Sequence, residues 1–311
     1  MRRRTTAPPA PLPQRDGIDP VRLRLPAEGA WATIRDHLVD RLPALGPGLI
    51  DALLDEGGIV GSDGPVAPGA PFAPGAFLWF YRPLRPEVPV PFELDVLHRD
   101  ENLLVVDKPH FLSTMPRGRH VTETALVRLR RDLGLRELSP AHRLDRLTAG
   151  VVMFVIRPEH RSTYQSLFQD RAVRKEYEAV APYAPRLALP RTVRSRIVKE
   201  RGVMAAREVA GPPNSESRIE LAERRGGLGR YRLRPVTGRT HQLRVHMNAL
   251  GVPILGDPVY PVVGDPAADD FSEPLQLLAR ELAFTDPVTG HEHRFTSRRT
   301  LRSWPAPAPS S

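Results

Sequence analysis

The pattern of apolar and polar positions predicts many short strands in the second two thirds of this chain. The run 151–156 is apolar throughout and too short for a buried helix, so it predicts a strand buried on both faces, entered through a bend at Gly150. At 174–180 the alternation predicts a strand with Lys175, Tyr177 and Ala179 on one face. Further strands are predicted at 94–98, 103–106, 193–198, 218–221, 231–235, 280–284 and in the segment that ends at Phe295.

Apolar positions at helical spacing separate these strands. Thr33 with Asp36 predicts a helix start of the capping-box type, and a second short helix is predicted at 49–56. Later helices are predicted from Thr122, around Tyr164, and from Thr240 to Gly251. Together these elements predict an α+β fold: a mixed, mainly antiparallel sheet flanked by helices, preceded by a small N-terminal α/β module.

Composition divides the chain into four parts. Residues 1–30 combine an arginine run with many prolines and predict a disordered basic arm, and residues 305–311 predict a disordered tail. Residues 31–88 form the small module, which ends in a proline-rich linker. Residues 89–304 predict one larger domain, of a length that a single core can fill.

The charge of the chain indicates a polyanionic partner, because the formal net charge is +9. No apolar stretch is long enough for a transmembrane helix, and no apolar segment follows the basic N-terminus as a secretion signal would require. The 311 residues include no cysteine, which excludes disulfides, thiolate nucleophiles and thiolate metal sites. Charge alone does not separate nucleic acid from a membrane surface as the polyanionic partner. We expect a cytoplasmic protein, with no membrane as its partner.

The segment 142–150, with the sequence HRLDRLTAG, places one carboxylate at the entrance of the buried strand. Asp145 lies between Arg143 and Arg146, and neighbouring cations favour the ionised form of a carboxyl group. Asp145 is therefore expected to be a charged group that only accepts hydrogen bonds. A structural ion pair is the alternative role, and it is weakened because a second cation, Arg244, also needs a partner.

The segment 237–246, with the sequence TGRTHQLRVH, begins the helix predicted from Thr240. Arg244 lies beside the apolar stripe of this helix, on the same side as His241 and in the opening turns, where the helix dipole favours a nearby anion. His241 and His246 are five positions apart, but no carboxylate ligand set accompanies them. The sequence therefore predicts no metal site.

These motifs resemble those of the RluA-type RNA pseudouridine synthases, in the same order over roughly residues 92–300. The matching elements are H-R-L-D-x-x-T-x-G at 142–150, G-R-T-H-Q-L-R-x-H at 238–246, V-x-D-K-P ending at Pro109 and G-D-x-x-Y ending at Tyr260. Where the family has Leu-His-Ala, this chain has Leu277-Leu278-Ala279, a difference expected at the surface or the edge of the substrate. The small module resembles the S4 RNA-binding module, but its second helix is acidic and should repel phosphate.

The resemblance implies a role for seven residues. Asp145 would be the catalytic aspartate, Arg244 its cationic partner, and Tyr177 a residue that stacks on the base and assists proton removal. Substrate-binding roles are implied for Arg143, which would hold the extruded nucleotide conformation, for Leu243, which would pack against the uracil, and for His142 and Arg239. The sequence leaves open whether Asp145 attacks C6 of the base or C1′ of the ribose.

The predicted function is isomerisation of specific uridines to pseudouridine in RNA, without cofactor or metal. Ribosomal RNA is the first candidate substrate and transfer RNA the second, whereas DNA is not expected, and the protein is predicted to be a monomer. The alternative is a catalytically inactive ribosomal-RNA-binding or ribosome-assembly protein on the same fold, which the intact set of Asp145, Tyr177 and Arg244 disfavours. A nucleoside hydrolase is disfavoured because no second carboxylate is paired with Asp145.

Overall fold

The computed structural model describes residues 8–264, 267 and 269–304, and the chain divides into two compact units, Met1–Pro86 and Glu87–Ser311. The division lies two residues before the predicted boundary at 88. Of the predicted segments, the arginine run at positions 2–4 and the tail 305–311 lie outside the described residues. No helix in the described part of the chain is long and apolar enough to cross a membrane.

The first unit packs two helices against a four-stranded antiparallel sheet. Its elements are β1 (Val21–Arg24), α1 (Ile34–Arg41), α2 (Pro47–Asp55), β2 (Ile59–Gly61), β3 (Gly64–Pro65) and β4 (Phe77–Phe80), and the strand order is β1-β4-β2-β3. The capping box predicted at Thr33 and Asp36 is confirmed, because each side chain bonds the backbone N–H of the other residue. The S4-like assignment of this unit stays a prediction.

The prediction that all of residues 1–30 form a disordered arm is wrong for its last part. Residues 21–24 pair with β4 along their whole length. Val21 and Leu23 pack against the core of this unit, and Leu25 is buried within it. The alternation of these apolar residues with Arg22 and Arg24 is a strand pattern, which the proline-rich and basic composition of the segment concealed.

The second unit contains one eleven-stranded sheet. Its strands are β5 (Asp95–Arg99), β6 (Leu103–Lys108), β7 (Ser139–Pro140), β8 (Ala149–Val155), β9 (Arg174–Pro182), β10 (Arg191–Val198), β11 (Arg207–Val209), β12 (Ser215–Arg225), β13 (Leu228–Pro235), β14 (Leu277–Thr285) and β15 (Glu292–Thr296). The main path runs β11-β10-β12-β13-β9-β14-β8-β6-β5, and β14 with β8 is the parallel pair in an otherwise antiparallel ladder. The α+β class with a mainly antiparallel sheet is confirmed.

Helices α3 (Ala125–Leu133), α4 (Arg161–Gln169) and α5 (Gln242–Ala249) accompany this sheet. Two helix starts differ from the prediction. Helix α3 is capped by Thr124, not Thr122, because the Thr124 hydroxyl accepts the Val127 N–H. Helix α5 has His241 as its N-cap, not Thr240, and this residue takes the left-handed conformation with φ of 59°.

Strand β8 is the central element that positions the site. All seven of its residues are buried, which confirms the predicted doubly buried strand. Gly150 has φ of +113°, and a Cβ there would lie 2.2 Å from the Ala279 carbonyl oxygen, so only glycine allows β14 to approach. The expectation that position 278 lies at the surface is wrong: Leu278 is fully buried against Ala149 and Val180, so a core contact replaces the family's histidine.

Candidate active site

A cavity of about 750 Å³ lies where the loop before β8 meets β9 and the start of α5. It falls within the size range of small-ligand pockets. All seven residues predicted for the site line it: His142, Arg143, Asp145, Tyr177, Arg239, Leu243 and Arg244. The fold thus brings residues that are about 100 positions apart to one place.

Asp145 lies in the loop that leads into β8, and the backbone of this loop turns back on itself. The Thr148 N–H donates to the Asp145 carbonyl at 3.1 Å. The carboxylate remains one quarter exposed, and its Oδ2 lies 3.9 Å from Nη1 of Arg244. Asp145 and Arg244 are therefore within ion-pair distance, with one carboxylate edge open to the cavity.

Arg244 forms bidentate hydrogen bonds with a different carboxylate, Asp257, which the sequence did not reveal as its partner. Its Nε and Nη2 donate to the two oxygens of Asp257 at 2.8 and 2.6 Å. Asp257 has no exposed side-chain surface and also accepts the N–H groups of Val259 and Tyr260. Asp257 therefore fixes the guanidinium through a bidentate pair, and Nη1 is left facing Asp145 within ion-pair distance.

The signal for Asp257 was present in the sequence as the acidic residue of G-D-x-x-Y, but spacing alone gave it no partner. The Tyr260 ring of the same element lies beneath the Arg244 guanidinium, with 5.2 Å from its carbon to the ring centroid. The Tyr260 hydroxyl is held by both backbone groups of Ala206 at 2.8 Å. This element is thus a support for Arg244.

Three side chains from the segment 108–114 hold the loop that carries Asp145. The Thr114 hydroxyl donates to the Leu144 carbonyl at 2.9 Å and accepts the Leu144 N–H at 3.1 Å. His110 Nδ1 donates to the Leu147 carbonyl at 2.7 Å. The buried Lys108 ammonium donates to the carbonyls of Pro109, Leu112 and Arg146. These contacts fix the backbone on both sides of Asp145.

Tyr177 lies on β9, and the predicted alternation of this strand is confirmed. Lys175 and Tyr177 line the cavity. Glu176 on the other face pairs with Arg232 and Arg234 at 3.0 and 2.9 Å. Burial, and secondarily the charge of Asp145, raises the pKa of Tyr177 above its usual value, so the phenol is neutral at physiological pH.

The four predicted substrate-binding residues differ in whether their side chains are engaged in contacts within the protein or exposed. His142 is stacked on Phe168 with ring centroids 4.4 Å apart, and its Nε2 accepts the Met153 N–H. Burial, then the charge of Lys175, lowers its pKa to about 3, so this imidazole is neutral and committed to the strand. Leu243 is buried in the cavity wall, whereas Arg143 and Arg239 are exposed at its rim.

The two histidines of the second motif point to different partners. His241 Nδ1 lies 3.1 Å from the Tyr260 hydroxyl, and His246 Nε2 lies 3.1 Å from the hydroxyls of Ser195 and Ser215. Within the described ranges, no three or more His, Asp or Glu side chains cluster in a way that could hold a metal ion.

The site therefore combines a partly exposed carboxylate, a cation with a fixed orientation and an aromatic residue with a neutral hydroxyl. A carboxylate of this kind can act as a nucleophile or stabilise a developing positive charge. The aromatic and leucine side chains offer surfaces for a planar base.

Comparison with known proteins bears on the same region. Residues 102–249 match the family model described as RNA pseudouridylate synthase. The dual-specificity RNA pseudouridine synthase RluA of Haemophilus influenzae is 33% identical over 220 residues, which cover 66% of this chain and 93% of that protein. Human pseudouridylate synthase RPUSD2 is 36% identical over 187 residues, which cover 57% of this chain and 32% of the human protein.

A solved structure gives the same result for the fold. Human RNA pseudouridylate synthase domain containing 4 is 25% identical and superimposes with a TM-score of 0.50. The match covers 66% of this chain and 88% of the human one.

Proposed function

Because this chain belongs to the RluA-type RNA pseudouridine synthases, and is therefore an isomerase acting on RNA, we propose that Asp145 carries its catalysis. The observation that supports this most strongly is its position: Asp145 lines the cavity with one edge open, 3.9 Å from Arg244. Asp257 holds Arg244 in place. The Arg244 guanidinium can therefore stabilise the negative charge of Asp145 while the Asp145 carboxylate stays open to the cavity.

The target uridine occupies the 750 Å³ cavity in this proposal. A uridine in structured RNA must first be extruded, at a cost of a few kcal/mol. Tyr177 and Leu243 would pack against the two faces of the base, since both line the cavity near Asp145. The rim arginines Arg143 and Arg239 would contact the extruded segment.

The reaction breaks the bond between N1 of uracil and C1′ of the ribose and joins C1′ to C5 of the same base, while C5 loses its proton and N1 gains one. Attack of Asp145 on C6 of the base and attack on C1′ both begin from the same open carboxylate oxygen. Burial, and secondarily the charge of Asp145, raises the pKa of Tyr177, so its hydroxyl is neutral and suited to stack on the base and to donate a hydrogen bond. Its assistance in proton removal, which the resemblance implies, stays a prediction.

Two rival functions have less support. An inactive RNA-binding protein is not favoured, because the relatives are named as synthases and the Asp145, Tyr177 and Arg244 set is complete. A hydrolase with paired carboxylates would need a second acid in the cavity. Asp257, the other carboxylate beside Arg244, has no exposed side-chain surface and is bonded to that arginine.

We propose ribosomal RNA as the first substrate and transfer RNA as the second, and both need testing because the Haemophilus influenzae relative is named as a dual-specificity enzyme. That the protein acts as a monomer stays a prediction. The absence of cysteine from the sequence fits a reducing compartment, so we propose a cytoplasmic location.

The experiment that tests this function is pseudouridine mapping of total RNA from cells with and without the gene. We expect one or a few uridines to lose their pseudouridine signal in ribosomal or transfer RNA when the gene is deleted. Identical maps would contradict the proposal.

A further inference from the structure

A second cavity, of about 400 Å³, lies on the other side of the Asp145 loop. It shares six lining residues with the first cavity: Arg143, Leu144, Asp145, Thr240, His241 and Arg244. The rest of its lining comes from segments that the proposed reaction does not use, among them the turn 117–120 and Arg146. Asp145 and its neighbours therefore separate two adjoining spaces.

The second cavity is strongly cationic. Beyond the shared Arg143 and Arg244, its lining includes the basic side chains of Arg117, Arg119, Arg146 and Lys199. Among the lining residues that the structure describes, Asp145 is the single carboxylate, and it faces Arg244. The nearby Glu87 does not line the cavity, and its carboxylate accepts the N–H groups of residues 121–123. Such a surplus of cations attracts an anion.

Two of these arginines, Arg117 and Arg119, lie in a turn whose backbone is closed by hydrogen bonds. Residues 117–120 form a tight turn, closed by two hydrogen bonds of 2.8 and 3.2 Å between Arg117 and His120, with Gly118 at φ of +60°. This turn exposes Arg119 at its tip. A glycine at the left-handed position allows so tight a turn, so the sequence Arg-Gly-Arg-His places two cations on a short, fixed loop.

No carboxylate among the residues that the structure describes pairs with Arg146. It is half-buried, and its recorded contacts in the described part of the chain are a 3.4 Å bond from Nη1 to the Phe111 carbonyl and a position 6.0 Å from the Phe111 ring centroid. Burial, then the charge of Arg119, lowers the pKa of Arg146. The half-buried Arg146 and the exposed Arg119 repel each other, and phosphates bound at each of them would relieve this repulsion.

We propose that the second cavity binds the sugar–phosphate backbone of the RNA next to the target uridine, with Arg119 and Arg146 each contacting a phosphate. The cavity offers no phenylalanine, tyrosine or tryptophan in its described lining on which a second extruded base could stack. Arginines without carboxylate partners are instead suited to phosphate oxygens. The proposal rests on the proposed function, because Asp145 marks where the target nucleotide lies.

The test is the salt dependence of binding to a single-stranded oligouridylate of about ten nucleotides. In this form of RNA each phosphate contact contributes about 0.7 to the slope of log affinity against log salt. The double variant Arg119→Gln/Arg146→Gln should therefore lose about 1.4 from the slope of the wild type. The single variant Arg119→Gln should lose about 0.7, and because Arg119 is exposed this change does not disturb packing.

The matched control is Arg157→Gln/Arg294→Gln, which removes the same charge from two exposed positions outside both cavities. It should keep the wild-type slope. Equal slopes for the two double variants would show a diffuse charge effect and would overturn the proposal.

A second arm uses an oligouridylate whose backbone is made neutral by methylphosphonate linkages. Wild type and Arg119→Gln/Arg146→Gln should bind this probe equally. A variant that loses the same factor on both probes would show contacts with bases or sugars, and the phosphate assignment would be wrong.

Pseudouridine formation by the wild type, measured on the same preparation, separates this proposal from the proposed function. If the slopes differ as expected and no pseudouridine forms in any RNA, the phosphate site stands and the catalytic assignment fails. If pseudouridine forms and the slopes are equal, the enzyme assignment stands and the phosphate site fails.

Discussion

Arg244 has two carboxylate neighbours, and its guanidinium is divided between them. Two of its nitrogens bond Asp257 at 2.8 and 2.6 Å, and the third lies 3.9 Å from Asp145. Arg244 is 3% exposed and Asp257 is fully buried, so neither can find an alternative partner in water. The buried pair thus fixes the cation, while Asp145 keeps access to substrate.

Replacing Asp257 with asparagine tests this division. The buried Arg244 would lose its charged partner, which costs roughly 3–5 kcal/mol of unfolding free energy when a buried pair is broken. We expect Asp257→Asn to lower the thermal midpoint strongly and to reduce pseudouridine formation. The control Asp95→Asn, in a half-exposed pair with Arg299, should change stability by no more than about 1 kcal/mol. Equal melting of the two variants would show that Asp257 does not support Arg244.

Because His142 is neutral in the folded chain, we expect the free energy of unfolding to fall at acidic pH. Its pKa is about 3 in the folded chain, because burial and then Lys175 disfavour the charged ring, against an ordinary value of 6.5. As pH falls below 6.5 the unfolded chain binds this proton first, so the stability contributed at neutral pH is lost as pH falls toward 3. Between pH 7 and pH 5 this loss amounts to about 2 kcal/mol.

Denaturant unfolding at both pH values measures the effect. His142→Gln should lose less stability between them than the wild type does, by about 2 kcal/mol. The control His291→Gln, at an exposed turn, should behave as the wild type. A His142→Gln variant with an undiminished pH dependence would contradict the assignment.

At the residue scale, the sequence identified the members of the site but not their pairing. Asp145 and Arg244 were found because their motifs are dense and their charges are unusual beside apolar runs. Asp257 was missed as a partner because thirteen positions of helix, turn and loop separate it from Arg244, and spacing does not reveal which of two carboxylates a guanidinium meets. His142 was assigned to substrate, yet its ring nitrogen is used by the Met153 N–H.

At the scale of elements, the Asp145 loop is held from outside by the segment that follows β6. The side chains of Thr114, His110 and Lys108 bond its backbone at positions 144, 147 and 146. A loop fixed in this way presents its carboxylate without reorganisation when substrate arrives, which favours turnover.

Thr114→Val removes two of these bonds with little change in side-chain volume. We expect about 1–3 kcal/mol of lost stability, because the buried Leu144 N–H is left unpaired. The turnover number should fall while RNA affinity is largely retained, since Arg119 and Arg146, the proposed phosphate contacts, are unchanged. Thr289→Val removes one hydroxyl bond at an exposed turn and is the control. A Thr114→Val variant with normal turnover would show that the loop does not need this contact.

The central strands were predictable because β8 is apolar throughout and β9 alternates. The helix starts were less so. Thr240 has the side chain of a good cap, but helix α5 begins after His241, and the Gln242 side chain instead accepts the Arg239 N–H and the Thr237 hydroxyl. Side-chain bonds of this kind form only in the folded chain and leave no local pattern.

At the scale of the whole molecule, the sheet order assembles the site. Strand β9 lies beside β14, and β14 lies beside β8, so the Asp145 loop at the start of β8 comes close to Tyr177. The strand order could not be predicted, because an apolar pattern indicates that a segment is a strand but not which other strand it pairs with. The chain divides after Pro86, within the proline-rich segment that the sequence suggested as a linker.

Two truncations test the second unit as an independent domain. A chain starting at Glu87 should fold and retain most RNA affinity, because the acidic α2 disfavours phosphate binding by the first unit. A chain starting at position 89 should melt at a lower temperature, because Glu87 accepts three backbone N–H groups at residues 121–123. Failure of the Glu87 truncation to fold, or loss of nearly all its RNA affinity, would contradict this division of roles.

Pseudouridine formation by Asp145→Asn, compared with the wild type on the same RNA, tests the catalytic role of Asp145 most directly. Asparagine keeps the size of the side chain but removes its charge and its nucleophilic oxygen. We predict no detectable pseudouridine, with RNA affinity retained or slightly raised because a charge that repels phosphate is gone. Thermal melting should stay close to that of the wild type, because Asp257 still pairs with Arg244. A folded Asp145→Asn protein that still forms pseudouridine would contradict the claim that Asp145 carries the reaction.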